Sequence, residues 1–151
     1  MKTFGKFLAV LLGLMLGACS DEAFKGKQDI EIVKAGGETV GFKVKIARLP
    51  EELSYGLMFY KHMPERHGML FDFASERAVR MWMKNTFLAL DMLFFTADGK
   101  LVYIEKNAVP QTLDPRGPGN ISVRYVLEIN AGEAAGLGLS IGDKLATDKL
   151  S

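Results

Sequence analysis

The sequence predicts a mostly β domain with a minor α part: a compact antiparallel barrel or sandwich of about eight short strands with two short helices. Three observations predict it. Apolar and polar residues alternate with a period of two over most of the chain and do not follow a helical period. Ala97-Asp98-Gly99-Lys100 lies between two such runs, and glycine there tolerates the positive φ of a hairpin. The runs are not interleaved with long helices, as repeated βαβ units would require.

Taken in order, Asp29 to Val33 and Val40 to Ala47 are strand-like, with Gly36-Gly37 near the turn between them. In Phe42-Lys43-Val44-Lys45-Ile46 apolar and basic residues alternate, so one face is buried and the other wet. Pro50-Glu51-Glu52-Leu53 starts a helix. Proline suits a first turn whose N–H has no partner anyway, and acids suit the positive end of the helix dipole. Gly56 stops that helix early. Gly68 to Phe73 and Val79 to Met83 read as strands, and Leu90 to Thr96 and Leu101 to Lys106 flank the hairpin. Residues 107 to 120, with Pro110, Pro115 and Pro118, form a long loop. Ile121 to Ile129 is a strand, Ala131 to Leu139 a helical turn, and Lys144 to Thr147 a last strand. Neither a repeat nor a second domain is evident.

The beginning of the chain has a different character. Lys2 and Lys6 precede an uncharged apolar run from Phe7 to Leu16, followed by Leu16-Gly17-Ala18-Cys19. This is the layout of a secretory signal, and the run is short of the about 20 apolar residues of a membrane span. Leu-Gly-Ala-Cys resembles the bacterial lipobox, in which the cysteine is acylated and becomes the first residue. The expected organisation is a signal peptide over 1–18, an acylated N-terminus and polar tether over 19–28, and a β domain over 29–151. The alternative is an ordinary signal cut after Ala18, leaving a free thiol, which is a liability outside the cell. Acylation implies an exported lipoprotein anchored in the bacterial envelope, its domain facing the periplasm or the exterior.

The 151 residues carry a formal charge of +1, and removing 1–18 also removes Lys2 and Lys6. A near-neutral domain argues against nucleic acid, which needs a basic stripe, and against electrostatic docking on anionic lipid. Cys19 is the only cysteine. Once it is acylated, no thiol remains for a disulfide, a thiolate metal site or a nucleophile. Nothing in the sequence calls for a cofactor or an oligomer.

Five blocks in the middle and end of the chain carry a family resemblance: Gly56-Leu57-Met58; Gly68-Met69-Leu70-Phe71; Met81 to Thr86; Leu90-Asp91-Met92-Leu93-Phe94; and Tyr125 to Gly132 with Gly142-Asp143. Together, over about residues 29 to 147, they resemble DUF192 (also UPF0127). The resemblance implies a compact, mostly β and often secreted domain, and no particular reaction. It also implies a departure. Many relatives hold two cysteines in the Pro-rich loop, where this chain has Gln111 and Pro115, so the loop must be pinned otherwise or be mobile.

The residues suited to chemistry are few. Trp82, Lys84, Asn85 and Thr86 form a candidate ligand surface, because an aromatic ring beside amide and ammonium groups suits sugars. The competing reading puts Trp82 in the core and makes Asn85-Thr86 a turn before Leu88. Asp91 and Glu128 each interrupt a hydrophobic strand, and alternation turns both to solvent. Other readings have a carboxylate tying backbone N–H groups of the Lys84–Thr86 turn, or a glycosidase-like acid/base pair sharing one cleft. His62 and His67 have no third ligand nearby for zinc. Met81 and Met83 share a strand face and with a histidine could bind Cu(I), since thioether sulfur is a soft ligand. There is no Gly-x-Ser-x-Gly elbow and no phosphate loop. The sequence therefore favours a lipid-anchored module binding a small or polymeric ligand, with glycan the leading class, in a cleft near Trp82–Asp91 and the 107–120 loop. A hydrolase using Asp91 and Glu128 and a Cu(I) protein are the alternatives.

Overall fold

A computed structural model describes residues 24 and 27–150. The expected signal peptide, residues 1–18, and the expected acylation site Cys19 lie outside the described residues. Seven strands form one sheet in the order β5-β4-β6-β3-β2-β1-β7. They are β1 (Gln28–Val33), β2 (Thr39–Ala47), β3 (His67–Ala78), β4 (Leu90–Phe95), β5 (Leu101–Ala108), β6 (Ser122–Asn130) and β7 (Lys144–Leu145), with short helices α1 (Pro50–Tyr55) and α2 (Glu133–Gly136). The sheet curls into a half-barrel whose ends meet at the β4–β5 hairpin. There Lys100 bridges Lys144, and the Leu145 N–H donates to the Gly99 carbonyl at 2.8 Å. Gly99 has φ 83°, and a Cβ on it would overlap the Leu145 carbonyl. Only glycine lets the hairpin turn and the last strand approach this closely.

One expected strand is corrected. Val79 to Met83 is not an eighth strand. It runs extended, but its partner is the Pro-rich loop: Met81 and Arg116 exchange two backbone hydrogen bonds of 2.8 Å, and the Met83 N–H donates to the Thr112 carbonyl. The sheet is mostly antiparallel, as expected, but β2 and β3 pair in parallel. Parallel neighbours need a crossover, and the chain from Arg48 to Arg66 supplies it, with α1 riding over the sheet. Glu52 caps that helix, its carboxylate accepting the Arg48 and Leu49 N–H groups at 2.8 and 3.0 Å. Gly56 ends it at φ 51°.

Both faces of the central strands are covered. One face packs Ile30, Ile32, Val44, Leu70, Leu93, Leu127 and Ile129 inside the curl. The other packs Met69, Phe71, Met92, Phe94 and Val126 under α1 and the 79–83 segment. All six residues of β4 are buried, which is why it reads as a nearly unbroken apolar run. Phe24, within the expected tether, also joins the second cluster, with its ring 5.6 Å from that of Tyr60.

The Pro-rich loop is held without a disulfide. Arg116 donates to Glu105 and to the Thr112 hydroxyl, both at 2.9 Å, while the Tyr103 hydroxyl donates to the other Glu105 oxygen at 2.8 Å.

Candidate functional site

The parallel crossover leaves a cleft of about 430 Å³ between α1 and the outer face of β3. Leu53 and Leu57 wall it on the helix side, and Phe71, Phe73, Val79 and Met81 on the sheet side. Arg77, Arg80 and Trp82 stand at its edge, with Thr86 and Glu128 as its inner polar groups. A wider hollow of about 530 Å³ beside β7 is lined mostly by turn residues. It holds neither an aromatic ring nor a buried ionisable group, so the α1–β3 cleft is the better site.

Glu128 is the chemical centre of this cleft, and alternation misplaced it. It lies on β6, paired with Met69 of β3 on one side and Met92 of β4 on the other. Directly paired residues share a face, so the carboxyl emerges between two methionines on the covered side of the sheet. It is 4% exposed. Burial alone pushes its pKa up to about 8, with no hydrogen bond or countercharge among the described residues to oppose it. Glu128 is therefore protonated at neutral pH and can both donate and accept a hydrogen bond at the cleft floor.

Asp91 is corrected in the same way but has a different job. It pairs with Ile129 and faces the inside of the curl, opposite to Glu128. Only 1% exposed, it accepts the Asn107 N–H at 2.9 Å and the Ala134 N–H at 3.1 Å. It thus ties β5 and α2 to β4; the alternative in which a carboxylate holds the Lys84–Thr86 turn does not apply to it, since that turn is not among its partners. Because Asp91 and Glu128 point to opposite faces, they do not share a cleft, and the two-carboxylate arrangement of a glycosidase is not assembled.

Trp82 is not core; its exposure is 48%. The 79–83 segment turns Met81 and Met83 inward, and alternation leaves Trp82 and Lys84 outside. The Lys84 ammonium lies 5.3 Å from the Trp82 ring centroid, a cation–π distance. Thr86 is buried, its hydroxyl donating to the Lys84 carbonyl at 3.2 Å. Asn85 turns the chain at φ 53° and accepts the Phe59 N–H on its carbonyl at 2.9 Å. The cleft thus brings together Trp82, Thr86 and Glu128, with Lys84 stacked on Trp82. Asn85 does not line it, and neither does any residue of the 107–120 loop, which braces the 79–83 segment from behind.

Met81 and Met83 sit in the apolar cluster at 8% and 0% exposure. His62 is exposed, and His67 packs edge-on against Phe24. No group of three His, Cys, Asp or Glu side chains suited to a metal occurs among the described residues. The sequence reading missed Arg77 and Arg80. The Arg77 guanidinium lies 4.6 Å from the Phe73 ring centroid, and Arg80 donates to the Gly119 carbonyl at 2.6 Å. It also missed α1 as a wall. The Gly56-Leu57-Met58 block was a signal, since a glycine-ended short helix followed by apolar residues must fold back over a surface.

Comparison with known proteins places this geometry in a family. The DUF192 profile, described as "Uncharacterized ACR", matches residues 31–147. No curated protein matches the chain significantly. A Sinorhizobium meliloti 1021 protein, described as a candidate transcription regulator, has a similar structure with TM-score 0.77 and 44% identity, over 82% of this chain and 95% of its own. A Novosphingobium aromaticivorans DSM 12444 protein of unknown function is similar with TM-score 0.72 and 33% identity, over 78% of this chain and 82% of its own. The chain belongs to the DUF192 family.

Proposed function

We propose that this chain is a non-catalytic ligand-binding module of the bacterial envelope. Acyl chains on Cys19 hold it on a membrane, facing the periplasm or the exterior, and the α1–β3 cleft takes a polyhydroxyl ligand such as a glycan fragment. The carrying observation is Glu128, a buried carboxyl at the floor of an open cleft with no hydrogen-bond partner among the described residues. A neutral carboxyl facing an open cleft can both donate to and accept from a ligand hydroxyl placed against it. The exposed Trp82 face offers the apolar surface on which sugar CH groups stack, and the Thr86 hydroxyl is a further polar group at the cleft. Among the described residues Glu128 is the one carboxylate that lines the cleft, which favours binding over hydrolysis.

The test is thermal unfolding of the Cys19→Ser chain against a panel of oligosaccharides. A saturating ligand should raise the midpoint by several degrees. Trp82→Ala and Glu128→Ala should abolish the rise. Should no saccharide stabilise the chain at millimolar concentration, the glycan assignment fails.

A further inference from the structure

Beside the cleft mouth lies a row of aromatic side chains that the protein leaves uncovered. Tyr55, at the end of α1, is 51% exposed, Phe59 52% and Phe87 43%. They form a continuous ridge: the Tyr55 and Phe59 ring centroids are 5.9 Å apart, and those of Phe59 and Phe87 6.1 Å apart. Phe59 is held outward by a positive φ of 66°, a conformation that bulky residues rarely adopt. Its N–H is fixed on the Asn85 carbonyl at 2.9 Å. Three neighbouring aromatics half in water form an apolar patch of the kind that marks an interaction surface.

The position of Phe24 says what covers it. Phe24 packs against Tyr60, the residue next to Phe59, with ring centroids 5.6 Å apart. The Lys45 ammonium lies 5.3 Å from the Phe24 centroid and 4.9 Å from the Tyr60 centroid, and donates to the Tyr60 hydroxyl at 2.6 Å. Phe24 is therefore fixed on the domain against Tyr60, the residue that follows Phe59 of the ridge. Five positions separate Cys19 from Phe24, and five extended residues reach at most about 18 Å. If Cys19 carries the lipid, the bilayer surface lies within that distance of Phe24, whose partner Tyr60 is the chain neighbour of Phe59.

We infer that the Tyr55–Phe59–Phe87 ridge is a membrane-contacting surface, docked in the interfacial layer of the bilayer that anchors Cys19. The inference rests on the lipid-anchor reading above. Aromatic rings settle at the water–hydrocarbon boundary without needing net charge, which suits a near-neutral domain. Tyr55 and Trp82 both line the cleft, so docking lays the cleft mouth at the headgroup level.

Trp82 is the sole tryptophan and reports on this directly. The wild-type chain is reconstituted from its membranes into phosphatidylcholine vesicles containing 6,7-dibromo phosphatidylcholine. Trp82 emission is expected to fall at least two-fold relative to unbrominated vesicles. In Tyr55→Ser/Phe59→Ser/Phe87→Ser, which alters only exposed side chains, the chain should stay in the membrane fraction and most of the quenching should disappear. Membrane-bound wild type with unquenched Trp82 overturns the docking alone, as does a triple variant, folded by thermal unfolding, that is quenched equally. Wild type found in the soluble fraction, like Cys19→Ser, overturns the anchor and the docking with it. Should the triple variant not fold, quenching of the wild type by bromine at the 6,7 against the 11,12 position decides: stronger quenching from the shallower position is required.

Discussion

Glu128 couples the cleft to pH. Its ordinary value of 4.5 rises to about 8 on burial, so between these values the folded chain holds a proton that the unfolded chain has released. Stability from this group is therefore full below about 4.5, declines as pH rises, and levels off above about 8. Glu128→Gln keeps a neutral hydrogen-bonding side chain and cannot ionise. Its denaturant-derived stability should match wild type near pH 4.5 and exceed it by up to a few kcal/mol near pH 8. Parallel curves for the two proteins over that range would show that the carboxyl is not desolvated. Ligand affinity should weaken as pH rises through about 8, where the folded carboxyl ionises, and in wild type alone. Trp82→Ala, by contrast, removes a half-exposed ring and should change stability by only about 0.5 kcal/mol.

Elements are joined here by acids that alternation alone would send to solvent. Asp72 sits where β3 leaves register with β6, and it faces Arg124 at 3.0 Å and Arg48 at 3.6 Å. Burial raises the Asp72 pKa, but the Arg124 hydrogen bond, the Ala74 N–H and the two guanidinium charges outweigh it and hold the carboxyl below the usual range. A depressed value means stability that is present above the unfolded pKa and lost as pH falls through the folded one. Asp72→Asn should therefore lower stability by about 1–2 kcal/mol at neutral pH and flatten the acid limb of the stability curve. Equal acid limbs would contradict it. Asp91 and Asp143 do similar work on backbone groups, Asp143 accepting the Ala35 and Ser140 N–H groups at 3.1 and 2.8 Å. At the closure of the sheet, Gly99→Ala adds a Cβ against the Leu145 carbonyl at positive φ. A loss of about 2 kcal/mol or more is expected, and faster amide exchange in β7 would localise it.

Across the whole molecule, what the sequence made legible was whatever depends on one strand at a time. The hairpin at Gly99, the α1 start at Pro50 and its stop at Gly56 follow from local φ preferences, and all stand in the structure. What it hid depends on a partner far away in sequence. Val79 to Met83 has strand periodicity, yet its hydrogen bonds go to a loop. Glu128 and Asp91 look alike as single acids in apolar runs, but only the β4–β6 register sends them to opposite faces. Trp82 carries the burial propensity of an aromatic, while the side from which the segment is covered decided its exposure. The cleft itself arises from a parallel crossover, which no short window reveals.

The clasp of Arg116 on Glu105 bears on how the chain matures. Ionic and backbone bonds form without moving an electron, so closing the 107–120 loop requires no oxidant, oxidase or isomerase. The folded chain should be indifferent to dithiothreitol, with the same unfolding midpoint and the same refolding yield in its presence and absence; a drop with reductant would show otherwise. Arg116→Ala should open the loop instead, costing about 1–3 kcal/mol and speeding proteolysis within it. Such a domain can reach its final form in a compartment that supplies no oxidising power at all.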